Sequence, residues 1–94
     1  MKQYTVVWSA IARDQLAEIW LRTLNRGVIT AGADTIDRRL ADQPAECGEA
    51  LADGQISMTV GFLRVFFQIS EPDRSVEVYH VEVIDTGNGR APTA

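Results

Sequence analysis

The chain has 94 residues, 46% of them apolar, and nine basic against thirteen acidic side chains give it a net charge of −4. That is one small domain with enough apolar material for a single core and too much for a disordered tail, and its acidity argues against the basic footprint usual in nucleic-acid binders. No stretch approaches the roughly 20 apolar residues of a membrane-spanning helix, and Arg13 and Asp14 interrupt the N-terminal apolar patch before a signal-peptide core forms, so a cytoplasmic protein is expected. A single cysteine, Cys47, and a single histidine are too few for an internal disulfide or for a structural zinc site, which needs about four ligands. The charge is unevenly spread. Residues 1–41 carry six basic and four acidic side chains, whereas 42–54 carry four acidic and no basic ones, leaving a basic helical half and an acidic loop.

In chain order, Tyr4-Thr5-Val6-Val7-Trp8 is β-branched and aromatic enough for a first strand. Ser9 stands at the N-cap position of a first helix over about residues 10–26, along which Ala12, Leu16, Ile19, Trp20, Thr23 and Leu24 recur at helical spacing. Glu18 and Arg22 form an i,i+4 pair, Arg26 complements the helix dipole in the last turn, and Gly27 suits the left-handed residue that ends the helix. After a short Gly27-Val28-Ile29 link, a second helix is expected from Thr30 as cap to about Asp42. Ile29, Ala33, Ile36 and Leu40 form its apolar stripe, and Asp34 and Arg38 a second i,i+4 pair. The link is short enough to make the helices an antiparallel hairpin. Residues 43–54 read as a loop, Gln55–Val60 as a short strand, and Gly61 as a tight turn into the next strand.

The run from Phe62 to Ile84 reads as a long hairpin around Glu71-Pro72-Asp73-Arg74. Strand alternation turns Leu63, Val65, Phe67 and Ile69 one way and Phe62, Arg64, Phe66 and Gln68 the other, so Arg64 interrupts an otherwise apolar strand. If Tyr79, Val81 and Val83 share the core face with Leu63, Val65 and Phe67, the opposite face gathers Arg64, Gln68, His80 and Glu82. Depending on register, His80 or Glu82 lies directly across from Arg64. A salt bridge to Glu82 on a solvated face is the purely structural reading of that arginine. Residues 1–85 form one domain, and 86–94 are expected to be a flexible tail.

The resulting class is α+β, in the order β-α-α-β-β-β, with a largely antiparallel sheet and an N-terminal helix hairpin packed on one face. That order, together with Leu63-Arg64-Val65-Phe66-Phe67-Gln68-Ile69 and Val76-Glu77-Val78-Tyr79-His80-Val81, resembles the RelE/ParE superfamily of bacterial type II toxins over about residues 4–84. The resemblance implies a growth inhibitor that works by ribosome-dependent cleavage of mRNA, as a metal-independent endoribonuclease without cofactors, or by binding a target such as gyrase. It implies a cognate antitoxin as partner, with ribosome and mRNA or gyrase as targets. Arg64 occupies the family's central-strand arginine position and would stabilise phosphate charge through its planar donor fork. His80 would serve as acid or base. Trp8, Trp20 and Phe62 are candidate anchors for an antitoxin segment. The further basic residues that active members carry after the second helix and at the end of the last strand are replaced here by Glu46-Cys47-Gly48-Glu49 and Glu82-Val83-Ile84-Asp85, and carboxylates repel a phosphate backbone. The alternative implied is a non-catalytic protein-interaction module of the same fold.

Overall fold

The computed structural model describes residues 4–84, so the expected tail at 86–94 lies outside the described residues. The first strand, β1 (Thr5–Trp8), passes through Ser9 into α1 (Ala10–Arg22). The Ser9 hydroxyl accepts a hydrogen bond from the Ala12 N–H at 3.1 Å, satisfying one of the orphan donors of the first turn. The helix α2 (Arg26–Asp42) follows, and its C-terminus falls where Pro44 and the loss of pattern place it.

The helix connection differs from the expected one. Thr23 is already extended (φ −91°, ψ 150°) and ends α1, so the link is 23–25 and not 27–29. Its hydroxyl accepts from the Asn25 N–H at 3.2 Å, the kind of local bond by which a β-branched hydroxyl residue draws the backbone out of a helix. Gly27 consequently lies within α2, which starts at Arg26 and not at Thr30. Arg26 still meets the negative end of α1, but from the next helix: Nε donates to the Trp20 carbonyl at 3.1 Å and Nη2 to that of Leu21 at 3.4 Å.

The segment 43–54 is more ordered than a plain loop. It holds two single-turn 3-10 helices, Pro44–Glu46 and Ala52–Gly54, around the two-residue strand β2 (Glu49–Ala50). The strands β3 (Ile56–Val60), β4 (Leu63–Ser70) and β5 (Ser75–Val83) complete a five-stranded sheet in the order β1-β5-β4-β3-β2. All pairings are antiparallel except β1 with β5, which run parallel from Thr5 opposite Ser75 to Trp8 opposite Val78. The β3–β4 hairpin turns on Gly61-Phe62, with Gly61 at φ +60° as a two-residue loop with glycine first requires.

Both helices cover one face of the sheet. Ile29, Ile36 and Leu40 of α2, with Ala12 of α1, close over Met58, Leu63, Val65, Phe67, Val76, Val78 and Val81. The β4–β5 register contains a bulge: Phe66 faces His80 and Phe67 faces Val78, so Tyr79 is an extra residue. The bulge changes the parity of β5, and Val76 and Val78 take the core places that simple alternation assigns to odd-numbered residues, Tyr79 among them. Beyond Val78, where β1 ends, α1 occupies the free edge of β5: the Gln15 Oε1 accepts from the Val81 N–H at 2.8 Å.

Candidate functional site

The face of the sheet turned away from the helices carries the polar residues. Pairing across β3, β4 and β5 sets Thr59 opposite Arg64 and Arg64 opposite Glu82, with Ser57, Phe66 and His80 in the adjoining row. The register therefore decides between the two expected neighbours: Glu82 faces Arg64 directly, and His80 sits one pair along. Arg64 Nη1 lies 4.0 Å from Glu82 Oε2, and His80 Nε2 lies 3.2 Å from Glu82 Oε1. The Arg64 and His80 side chains are about 40% exposed, which leaves both able to meet a ligand (37% and 40%).

Phe66 is the apolar floor of this cluster. The Arg64 guanidinium stands 5.0 Å from its ring centre, and the His80 ring meets it edge-on at 5.3 Å and 62°. Holding Arg64 over an aromatic face while Glu82 takes one side leaves the rest of its planar donor fork for a further acceptor. Arg64 also borders a groove of about 410 Å³ whose lining includes Ser57, Thr59, Cys47, Gly48 and Glu49. The carboxylates of Glu49, Glu77 and Glu82 outnumber the cation on this face. In the groove wall, burial pushes the Cys47 thiol up from its ordinary value, and its Sγ lies 3.1 Å from the Gln43 carbonyl, to which it donates.

Two members of the cluster, Phe66 and Gln15, carry no expected role in the site. Phe66 was legible as a neighbour of Arg64 on the same strand face, two residues along. Gln15 was not, since it reaches His80 from α1 across 65 positions: its Nε2 lies 3.1 Å from His80 Nδ1. The candidate partner anchors separate. Trp8 is half-buried, its indole N–H donating to Asp37 at 2.7 Å, whereas Trp20 lies at the surface beneath Arg26, 4.5 Å from the ring centre. Phe62 is half-exposed at the hairpin tip and lines two apolar clefts of about 290 and 260 Å³, one with Ile19, Ile29 and Val83 and the other with Val28, Val60 and Leu63. Both expected helical ion pairs form, Glu18 with Arg22 and Asp34 with Arg38, each at 3.4 Å.

No protein-family model and no curated protein matches the sequence. Solved structures do match the fold. The toxin–antitoxin complex RelBE2 from Mycobacterium tuberculosis superposes with a TM-score of 0.74 over 88% of this chain and 93% of that one, at 23% identity. The YoeB/ParE toxin from Agrobacterium tumefaciens superposes with a TM-score of 0.61 over 84% and 96%, at 26% identity. The fold is RelE/ParE-like. TrmO from Pseudomonas aeruginosa also matches, with a TM-score of 0.61 and 27% identity over 87% of this chain, which spans only about a third (36%) of TrmO. In the RelE/ParE-like chain the helix-covered face holds the core and the opposite face holds Arg64, His80 and Glu82. Among the described residues no helix is long and apolar enough to cross a membrane.

Proposed function

We propose that this chain is the toxin of a toxin–antitoxin pair and acts through the open sheet face, with Arg64 holding a phosphate of a translated mRNA and His80 beside it. The observation that carries the reading is the placement of Arg64: half-exposed, stacked over Phe66, at the border of a groove and next to the chain's one histidine. Cleavage by an attacking 2′-hydroxyl builds negative charge on the phosphate, and an oriented guanidinium fork stabilises that charge more than it stabilises the ground state. The apolar clefts beside Phe62 suit an antitoxin segment that buries alternate or helically spaced apolar side chains.

Induced expression of the wild type is expected to arrest growth and to cut messages only while they are translated. Arg64→Ala is expected to abolish both and to leave the fold unchanged, since an exposed ion pair at 4.0 Å contributes about 1 kcal/mol or less. Growth arrest without mRNA cleavage would move the reading to target binding of the gyrase type. A wild type that neither arrests growth nor cuts message would remove the toxin reading.

A second reading, a non-catalytic interaction module, is favoured by one observation: Glu82 engages both Arg64 and His80, and Glu49 adds a further negative charge at the groove. The match to about a third of TrmO adds that the scaffold also occurs within a longer chain. On that reading Arg64→Ala changes neither growth nor partner binding.

A further inference from the structure

A chain of hydrogen bonds runs from the backbone of β5 through α1 and back to the open face, and its direction is fixed at one end. The Val81 N–H can only donate, so the Gln15 atom 2.8 Å from it must be the carbonyl oxygen. That settles the orientation of the side-chain amide, which hydrogen-bond partners rather than atom positions normally decide. The other end of the amide, Nε2, carries two hydrogens and no lone pair, and it faces His80 Nδ1 at 3.1 Å. Nδ1 must therefore be the acceptor, and the ring proton resides on Nε2. From Nε2 the ring donates to Glu82 Oε1 at 3.2 Å, and the other oxygen of Glu82 faces Arg64.

We infer that Gln15 is a positioning residue that locks His80 as the Nε2–H tautomer, so that on the open face His80 is a hydrogen-bond donor and not a base. A base needs a lone pair on the nitrogen that faces the substrate, and this tautomer has its lone pair on Nδ1, turned toward α1 and occupied by Gln15. Converting His80 to a base at Nε2 would put the proton on Nδ1, against the Gln15 N–H2 group. The amide would then have to turn over and give up the Val81 N–H, the bond that holds α1 to the uncovered edge of β5. For the reaction proposed above, and resting on that proposal, the Nε2–H that Glu82 accepts here would turn to a phosphate oxygen alongside Arg64, and the proton of the 2′-hydroxyl would go to solvent water. The tautomer lock itself does not depend on the chain being a nuclease.

The chain has one histidine, so its ring nitrogens can be read without assignment ambiguity. The test is long-range proton–nitrogen correlation of the 15N-labelled full chain at a pH where the ring is neutral. The wild type is expected to show Nε2–H alone, together with a coupling across the hydrogen bond between Gln15 Nε2 and His80 Nδ1. Gln15→Leu is expected to lose that coupling, to give a mixture of tautomers, and to speed Val81 amide exchange roughly tenfold, the equivalent of one lost hydrogen bond. Gln15→Glu keeps an acceptor for Val81 but offers only oxygens to Nδ1 while Glu82 still accepts from Nε2, so it is expected to retain the slow Val81 exchange and to put a proton on Nδ1 as well. Nδ1–H in the wild type, or an Nδ1 that stays unprotonated in a folded Gln15→Glu protein, would overturn the inference. A locked ring in a wild type that leaves growth and mRNA untouched would sustain the lock and remove the nuclease reading, so the two failures are distinguishable.

Discussion

The hydroxyl of Tyr79, the extra residue of the β5 bulge, is inaccessible to solvent and has no hydrogen-bond partner among the described residues. An unmade bond of this kind costs about 1–3 kcal/mol. Desolvation pushes the phenol up from its ordinary value, so the folded chain holds this proton to a higher pH than the unfolded chain does. The sign of the linkage follows: Tyr79 contributes stability that is full below the unfolded value, near pH 10, and lost as pH rises through the folded one. Tyr79→Phe is thus expected to raise stability at pH 7 by about 1 kcal/mol, the low end of the cost of an unpaired buried hydroxyl. The gain is expected to widen above about pH 10, where Tyr79 begins to lose its proton in the unfolded chain. Urea denaturation of both proteins at pH 7 and above pH 10 measures each difference. A Tyr79→Phe protein that is less stable at both would show that the hydroxyl is satisfied.

The elements depend on close approaches that vary in how visible they are in the sequence. Gly48 brings the acidic segment against β3 so tightly that a Cβ there would stand 2.1 Å from the Ser57 carbonyl oxygen, a backbone atom that cannot step aside. Gly48→Ala is expected to cost about 1–3 kcal/mol, as overpacking does. It is also expected to displace β2 from β3, read as faster amide exchange across Glu49–Ala50 and Ile56–Val60. The two helices, the three longer strands and the core residues Ile36, Leu40, Leu63, Val65 and Phe67 were legible because period and burial agree along each of them. The turn at 23–25 was not, because Gly27 offers a stronger local stop signal than Thr23, and the side-chain bond that ends α1 has no periodicity. The bulge left no mark either, since an inserted residue changes parity without changing composition. For the site, Arg64 was legible as an anomaly in its strand and His80 as its near neighbour. Gln15 was not, because its role comes from α1 lying beside an edge that β1 leaves uncovered, a tertiary fact.

At the scale of the whole molecule, one flank is wet and apolar. Leu24 is fully exposed (104%), and Leu21, Val28, Phe62 and Val83 lie around the end of the helix pair and the β3–β4 turn. Such a patch, rimmed by Arg22 and Thr23, is the surface that an antitoxin segment would cover on the reading proposed above. Phe62→Asp is expected to lower self-association of the isolated chain, seen by light scattering across concentrations. It is also expected to weaken capture of the partner by at least about 30-fold, the equivalent of a 2 kcal/mol anchor. The parallel pairing of β1 with β5 bears on timing. The first strand finds its neighbour only in the last, 70 positions away at Thr5 and Ser75, so the closing contact carries nearly the longest loop this domain can form. Glu82, His80 and the backbone N–H that orients Gln15 all belong to that final strand. A growing polypeptide can make its helices and the β3–β4 hairpin early, yet it has no assembled polar face until β5 is synthesised. On the toxin reading proposed above, the open face could not act on the chain's own messenger before β5 has been made and paired.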